Sequence, residues 1–392
     1  MHGTVRVRTL LTSALLAAAA LAVPGQASAA AGPTCAGKAA PVFGTAAPNT
    51  TLNTRFTTYG NSNARLDDWT GADSTYSVKL ADGRIVFGFS DTFLGTINAN
   101  GSRPVVISDG GTTPFLNNTF VVQSTSGTLT TARGGTASAP TALLPPSGPG
   151  RVYWAGDMIT HGNEVQQPYR EYVKTGSGPW DIAFDRNVLA RFSTGNLNQP
   201  VSVTALPSAT GTMWGSALLK DGGYTYVYGT EDRGADKYLR VARVTGTDLR
   251  GTWEYRTASG WSTSETASVR LMSGVSNELS VSKRGSHYIM INQDTKEAFS
   301  AQIDAHLSCA AHGPFTAEQT VYSTPDGGPW GSYGDPDVYT YNAHAHASMN
   351  TSGKLVVSYN VNTLDMQAGP NNDVYRNVSI YRPRFVDVPV SG

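Results

Sequence analysis

The chain has 392 residues, in which 29 lysines and arginines balance 29 aspartates and glutamates, and only 15% of its residues are charged. A net charge of zero argues against binding to nucleic acid or anionic lipid by bulk electrostatics, because no basic excess is available to displace counterions. The 2 cysteines are too few for a four-thiolate zinc site or a disulfide-dense scaffold, while 40% hydrophobic residues indicate a globular protein.

The N-terminus has the pattern of a secretory signal peptide. Two arginines precede an apolar run from Leu10 to Val23, and small residues follow at 27–29. The run is too short and too rich in alanine for a membrane span, and no later stretch is long and apolar enough to be one. We therefore predict a signal peptide over 1–29 and a secreted, extracellular mature protein over 30–392, without membrane insertion. The alternative is an N-terminal helix that stays in the fold.

Cys35 and Cys309 are predicted to form one disulfide bond, because exported proteins fold in an oxidising compartment. The bond would tie the N-terminal segment to a point late in the chain. That suggests a fold in which the first and last parts are neighbours, as in a closed ring. The alternative is two unpaired, buried thiols.

A repeated pattern follows the signal: two alternating apolar runs joined by a glycine-containing turn, which is typical of a β-hairpin. The first example turns at Asp82-Gly83 and continues from Ile85 to Phe89. Five such turns have glycines at positions 83, 150, 222, 285 and 353, at intervals of 63 to 72 residues. This spacing predicts an all-β protein, a five-bladed β-propeller that forms a single domain over 30–392. Two β-sandwich domains are the alternative.

Carboxylates are concentrated where these hairpins begin and end. Asp73 and Glu278 precede first strands, whereas Asp91 and Asp157 follow second strands. A hairpin returns to the side on which it began, so both kinds of position lie at one rim. If the hairpins occupy equivalent places in their blades, the carboxylates meet at one mouth of the central channel.

Two or three carboxylates around a funnel suit the cleavage of glycosidic bonds. One carboxyl group, kept protonated by burial or by a like-charged neighbour, gives a proton to the leaving oxygen, and another attacks the anomeric carbon or activates water. Trp69, Trp154, Trp214 and Trp330 lie in or beside these loops, where aromatic faces would bind sugars. The alternative for each tryptophan is packing in the core or on the surface.

His344 and His346 alternate in one predicted strand and therefore point to the same face. They are predicted to line the channel and contact substrate or a metal; the alternative is a hydrogen-bonded polar pair near the axis. A structural calcium ion in the channel is compatible with such donors, but no loop has a recognised ligand spacing, so we predict no cofactor. The sequence also lacks a Gly-x-Ser-x-Gly elbow, a Walker loop and a His-Glu-x-x-His motif.

The segments 71–74 and 81–95 resemble the start of a group of secreted propellers catalogued as a domain of unknown function. Those proteins typically carry an Asp-containing turn followed by a strand pair that ends in Gly-Asp-Thr-Phe, whereas this chain has Ser90 before Asp91. Segments around Trp214 and Glu278 and from 341 to 362 are similar too. The resemblance therefore spans most of the mature chain.

That group includes endo-D-arabinanases, which act on bacterial cell-wall arabinan and have five-bladed propellers. The resemblance implies that Asp73 and Asp91 are the catalytic pair, with Asp73 as nucleophile or base and Asp91 as its acid/base partner. Glu278 matches the place where related propeller glycosidases keep a general acid, so it competes with Asp91 for that role. Asp157 is predicted to be a third carboxylate of the site, one that tunes a pKa or binds a sugar hydroxyl.

These observations predict a secreted glycoside hydrolase that cleaves furanosidic polysaccharide, endo-acting on D-arabinan of cell-wall arabinogalactan or lipoarabinomannan. We expect a monomer whose partner is the polysaccharide, with Asp157, Trp69, Trp214, His344 and His346 as substrate-binding residues. The alternatives are a propeller glycosidase or lyase that acts on another glycan, and a non-catalytic carbohydrate-binding or adhesion propeller.

Overall fold

A computed structural model describes residues 32–62, 64–178, 180–365, 367 and 369–392. The predicted signal peptide, residues 1–29, lies outside these residues. No helix in the described part of the chain is long and apolar enough to cross a membrane.

Strands dominate the described chain. The first third contains β1 (Val42–Phe43), β2 (Ala47–Pro48), α1 (Thr50–Asn61), β3 (Trp69–Ala72), β4 (Tyr76–Lys79), β5 (Ile85–Phe89), β6 (Thr92–Leu94), β7 (Phe115–Leu116), β8 (Thr119–Gln123), β9 (Leu129–Ala132), β10 (Gly134–Thr136) and β11 (Ala139–Thr141). The middle contains β12 (Arg151–Ala155), β13 (Ile159–His161), β14 (Glu164–Lys174), β15 (Ile182–Ser193), β16 (Ser202–Ala205), β17 (Met213–Asp221), β18 (Tyr224–Arg233), β19 (Asp236–Thr245), β20 (Trp253–Arg256), β21 (Trp261–Ser262) and β22 (Met272–Ser273). The last part contains β23 (Leu279–Arg284), β24 (His287–Gln293), β25 (Gln302–Ser308), β26 (Thr316–Ser323), β27 (Val338–Ala345), β28 (Lys354–Thr363), α2 (Asp373–Arg376) and β29 (Pro383–Ser391).

The longer strands form antiparallel sheets that follow one another along the chain. Sheet I is β4-β5-β8-β9, and sheet II is β12-β14-β15-β16 with β13 also on β14. Sheet III is β17-β18-β19-β20-β21 with β22 on β19, sheet IV is β23-β24-β25-β26, and sheet V is β1-β29-β28-β27 with β2 on β29. Two smaller sheets, β3-β6-β7 and β10-β11, are attached to this set.

Each sheet packs against the next through a buried apolar cluster, and the last packs against the first. From the I–II interface round to the V–I interface, representative pairs are Phe120 and Phe192, Leu189 and Val227, Tyr228 and Met290, Ile291 and Val357, and Phe87 and Phe385. A ring of antiparallel sheets with apolar faces between them is a β-propeller. The prediction of an all-β propeller is confirmed.

Four of the five predicted hairpins are present, and their turns join β4 to β5, β17 to β18, β23 to β24 and β27 to β28. The first turn needs its glycine, because Gly83 has a φ of 89° that other residues rarely adopt. The hairpin predicted at Gly150 is wrong. The strand that follows it, β12, pairs with β14, and the tight turn of sheet II lies between β13 and β14.

The predicted disulfide bond is confirmed between Cys35 and Cys309, which are separated by 274 positions. Cys309 directly follows β25 of sheet IV, whereas β1 and β2 pair with β29 of sheet V. The N-terminal segment therefore completes the last sheet of the ring and is bonded to the sheet before it.

Candidate active site

Asp73 and Asp91 are neighbours at one end of sheet I. Asp73 lies three residues before β4, and Asp91 lies between β5 and β6. The amide of Asp73 donates to the carbonyl oxygen of Asp91 over 3.1 Å, and the amide of Ser90 donates to the carbonyl oxygen of Asp73 over 3.0 Å. This main-chain pairing brings together the two aspartates that the sequence placed at one rim.

The Asp73 carboxylate is held by two phenols. Tyr341 and Tyr381 donate hydrogen bonds to its Oδ2 over 2.7 and 3.3 Å. Its Oδ1 is buried and has no hydrogen-bond partner among the described residues. Burial, followed by the negative charge of Asp91, raises the pKa of Asp73 well above its ordinary value, against the opposing effect of the tyrosine hydroxyls. One oxygen of Asp73 is thus anchored while the other stays free to accept or hold a proton.

The Asp91 carboxylate accepts hydrogen bonds from two groups that can only donate. Its Oδ1 lies 3.0 Å from Nδ2 of Asn117 and 3.1 Å from Nε1 of Trp154. Burial raises the pKa of Asp91 to about 6, and these two hydrogen bonds limit the rise. Asp91 is therefore an ionised acceptor above about pH 6.

Glu278 reaches the same place from sheet IV, where it directly precedes β23. It is 5% exposed, and its Oε1 accepts a hydrogen bond from the hydroxyl of Ser74, the residue after Asp73. Its Oε2 is buried without a partner in the described structure. Burial raises the pKa of Glu278 to about 7, although the Ser74 hydroxyl, the charge of Arg170 and the nearby Tyr76 hydroxyl lower it. Glu278 therefore keeps its proton up to nearly neutral pH.

The backbone conformation at Ser74 explains how Asp73 and the residue after it make contacts with different sheets. Ser74 has a φ of 65°, in the left-handed region that L-residues other than glycine, asparagine and aspartate seldom occupy. In this conformation the Ser74 hydroxyl reaches Glu278 of sheet IV. The preceding residue, Asp73, contacts Tyr341 in β27 of sheet V and Tyr381 just before β29. Strain of this kind is held in place only where the surrounding structure demands it.

Asp157 accepts a main-chain hydrogen bond on each of its carboxylate oxygens. Its Oδ1 accepts from the amide of Met158 over 2.8 Å, and its Oδ2 accepts from the amide of Leu218 over 2.7 Å. Burial raises its pKa to about 7. Because Leu218 belongs to β17, Asp157 joins sheet II to sheet III. Its remaining link with the site is electrostatic, since its charge raises the pKa of Glu278.

Residues 53–390 match the family described as a domain of unknown function, DUF5005. The chain belongs to the DUF5005 family. No curated protein matches the sequence.

Solved structures resemble the DUF5005 protein in fold. A putative hydrolase from Bacteroides ovatus has 22% identity and a TM-score of 0.71, with 87% of this chain and 89% of that chain covered. The GH43_1 enzyme from Xanthomonas citri complexed with xylose has 14% identity and a TM-score of 0.45, with 87% and 93% covered. The catalytic domain of the GH62 alpha-L-arabinofuranosidase from Coprinopsis cinerea has 11% identity and a TM-score of 0.45, with 82% and 91% covered.

His344 and His346 of the DUF5005 protein are buried between sheets, at 3% and 1% exposure. Nδ1 of His344 donates to the carbonyl oxygen of Leu279 over 2.9 Å, and burial lowers its pKa to about 4. The nitrogens of His346 lie 2.8 and 2.9 Å from the hydroxyls of Ser77 and Ser358. These contacts favour the reading of a hydrogen-bonded polar pair over that of substrate ligands.

Two of the tryptophans predicted to bind sugar are core residues. Trp69 and Trp214 are both 0% exposed. Trp69 packs edge-on against Phe56 with ring centroids 5.5 Å apart, and Trp214 donates from Nε1 to Glu265 over 3.0 Å. The prediction of sugar contacts is wrong for both, because their strands turn these side chains into the interfaces between elements. Trp154, in contrast, is partly exposed beside Asp91.

The described part of the DUF5005 chain contains no group of three or more His, Cys, Asp or Glu side chains that could hold a metal ion.

Several residues of the candidate site could not be predicted from the sequence. Ser74 and Tyr341 lie within segments that resembled the propeller group, but their contacts with Glu278 and Asp73 were not predicted. Arg170 and Tyr381 stand in no motif. Arg170 is 3% exposed, and its charge lowers the pKa of Glu278.

Proposed function

We propose that this protein is a secreted glycoside hydrolase that cleaves furanosidic polysaccharide, endo-acting on D-arabinan of cell-wall arabinogalactan or lipoarabinomannan. One observation carries the proposal. Among the described residues, Asp73 Oδ1 and Glu278 Oε2 are buried carboxylate oxygens without hydrogen-bond partners, and Ser74, the residue after Asp73, donates a hydrogen bond to Glu278.

Such oxygens are costly in a protein that only binds carbohydrate. A buried polar atom without a hydrogen bond destabilises the fold by roughly 1–3 kcal/mol. A binding propeller needs aromatic faces and hydrogen-bond donors but has no use for carboxyl groups of raised pKa. Perturbed carboxylates in close association are instead characteristic of catalytic sites, which supports a hydrolase over an adhesion module.

The contacts favour Glu278 over Asp91 as the proton donor. Asp91 accepts hydrogen bonds from two N–H groups on its Oδ1 and ionises near pH 6, whereas Glu278 ionises near pH 7 and so keeps its proton to higher pH. In the proposed reaction, Glu278 gives its proton to the glycosidic oxygen as the bond from that oxygen to the anomeric carbon breaks.

Asp73 is the proposed base or nucleophile. Its anchored Oδ2 fixes the carboxylate, and its free Oδ1 either takes a proton from the attacking water or bonds to the anomeric carbon. In both routes water supplies the hydroxyl of the new reducing end. Asp91 raises the pKa of Asp73 and so makes it a stronger base.

The choice of D-arabinan rests on the resemblance of the segments around Asp73 and Asp91 to endo-D-arabinanases. Secretion rests on the N-terminal pattern and agrees with the disulfide bond, since such bonds persist in oxidising compartments. A hydrolase with the same carboxylates that acts on another glycan is the second candidate.

The test compares product release from cell-wall arabinogalactan by the mature protein, residues 30–392, and by Asp73→Asn and Glu278→Gln variants. Asp82→Asn is the matched control, because Asp82 is an exposed carboxylate at the turn on the opposite end of sheet I. We expect oligosaccharides from the wild type and the control, and at least about 100-fold slower release from the two site variants.

The other outcomes are distinct. Full activity in both site variants would remove these carboxylates from the mechanism. Release of monosaccharide alone would keep the site and replace endo by exo action. Binding of glycans without release from any of them would identify a binding propeller.

A further inference from the structure

Aromatic rings extend from Asp73 towards solvent. Tyr341, which donates to Asp73, has its ring centroid 5.2 Å from that of Tyr339. The ring of Phe299 lies on Tyr339 with a centroid distance of 4.0 Å and an interplanar angle of 40°. Phe299 is 42% exposed, so this row, called here the first aromatic row, ends in an accessible face.

Phe299 combines two features that stability alone does not explain. It lies in the loop between β24 and β25 with a φ of 55°, in the left-handed region where a bulky residue is strained. It also leaves a large apolar ring in water. Strained and exposed residues of this kind concentrate at ligand-binding sites, and the position of Phe299 at the end of a row that begins at Asp73 points to the same ligand.

A second aromatic row extends from Asp91. Trp154 donates to Asp91 from Nε1, and its ring centroid is 4.5 Å from that of Tyr172. Phe184 continues the row with a centroid 6.0 Å from that of Tyr172. All three rings are partly exposed. They belong to sheet II, on the strands β12, β14 and β15.

The two rows lie on opposite sides of the carboxylates. Tyr339 and Tyr341 belong to sheet V and Phe299 packs on Tyr339, while the second row belongs to sheet II. Sheets V and II flank sheet I in the ring, and Asp73 and Asp91 lie at the end of sheet I. A ligand that covered both rows would therefore cross the carboxylates.

We propose that the Phe299 and Trp154 faces bind sugar units on either side of the bond that is cleaved, so that the ligand is an extended, uncharged glycan chain that continues past the carboxylates in both directions. This inference rests on the proposed function and gives its endo action a physical basis. Aromatic side chains can stack on the C–H surfaces of sugar rings, because the contact removes apolar area of both groups from water. Such a contact does not require the sugar to carry a charge.

The test measures binding apart from cleavage. In an Asp73→Asn background, affinity gel electrophoresis with soluble cell-wall arabinogalactan compares Phe299→Ala and Phe299→Tyr. We expect Phe299→Ala to weaken retention by about three- to tenfold, the range of one aromatic contact, and Phe299→Tyr to preserve it. The matched control is Tyr224→Ala, since Tyr224 is a partly exposed ring at the turn on the far end of sheet III.

Unchanged retention in Phe299→Ala, an equal loss in Tyr224→Ala, or no retention of the Asp73→Asn protein would each overturn the inference. A second readout is the product length from the cleavage-competent protein, which should shift in Phe299→Ala if that face positions the chain. If the proposed function were wrong and this inference right, the result would differ. The wild type would release no product from arabinogalactan, while its retention in the affinity gel would still depend on Phe299.

Discussion

The hydroxyl of Ser74 donates a hydrogen bond to Oε1 of Glu278, a residue 204 positions further along the chain. The bond joins the start of sheet I to the start of sheet IV across the ring. It is made by a serine with left-handed backbone next to Asp73. The strained residue therefore couples the proposed base to the proposed acid, and it offers a way to change one pKa without touching either carboxylate.

Ser74→Ala should move the alkaline limb of the pH–rate profile. The Ser74 hydrogen bond lowers the pKa of Glu278, which is about 7, so its loss raises that pKa further. Because Glu278 is the proposed proton donor and would act in its protonated form, activity should then persist to higher pH. The measurement is kcat/KM against pH on the glycan that the wild type cleaves.

Ser74→Gly is the matched variant for this experiment. It also lacks the hydroxyl, but glycine accepts a φ of 65° without strain. Both variants should shift the limb by the same amount, and only Ser74→Ala should keep the backbone strain. An alkaline limb that stays in place in both would argue against Glu278 as the acid.

Asp91→Asn should shift the acid limb of the pH–rate profile to lower pH. The negative charge of Asp91 is the second contribution, after burial, to the raised pKa of Asp73. Without that charge Asp73 ionises at lower pH, so the rising limb should shift to lower pH while activity stays within about tenfold of the wild type. Activity lost at every pH would instead make Asp91 a direct acid/base partner of Asp73.

Glu278→Gln should flatten the dependence of stability on pH. The folded-state pKa of about 7 lies above the ordinary value of 4.5, so the stability that the protonated group contributes is complete below pH 4.5 and is lost as pH rises through 7. Glutamine never ionises, and the variant should gain up to about 3 kcal/mol relative to the wild type at pH 8. Urea unfolding at pH 5 and pH 8 measures this difference.

Asp82→Asn is the control for the stability comparison, because it removes an exposed carboxylate. Its unfolding free energy should follow that of the wild type at both pH values. If Glu278→Gln also lost as much stability as the wild type between pH 5 and pH 8, the buried carboxylate would not be the source of the pH dependence.

Loss of the disulfide bond should destabilise the protein. Cys309→Ser opens a covalent loop of 274 positions and should cost roughly 2–4 kcal/mol, mainly because the unfolded chain is less constrained. Chemical unfolding with and without a reducing agent measures the effect. Reduction should lower the stability of the wild type to that of Cys309→Ser and leave the variant unchanged; a reduced wild type as stable as the oxidised one would contradict the expectation.

The hairpins were predictable because their information is local. Asp82-Gly83 specifies a turn, and alternating residues on either side specify two strands. The hairpin predicted at Gly150 failed for a physical reason as well. A turn glycine and the apolar run after it suggested a hairpin there, but β12 pairs instead with the eleven-residue strand β14, which comes later in the chain.

The carboxylates of the site were predictable from their positions at strand ends, but their partners were not. Tyr381 lies 308 positions from Asp73, and nothing in its neighbourhood marks the contact. The tryptophans failed for another reason. An aromatic residue at the end of a strand suits a sugar face and a sheet interface equally well, and only the packing of the ring decides that Trp214 is buried while Trp154 is open.

The closure of the ring by both ends of the chain determines when the site can exist. β29 pairs with β28, β1 and β2, so sheet V is complete only when residues 383–391 are in place. Asp73 also needs Tyr341 and Tyr381, which lie 268 and 308 positions after it in the chain. A nascent chain therefore carries the Asp73 carboxylate before the groups that hold it have been made, and activity should first arise once residues 383–391 have been synthesised.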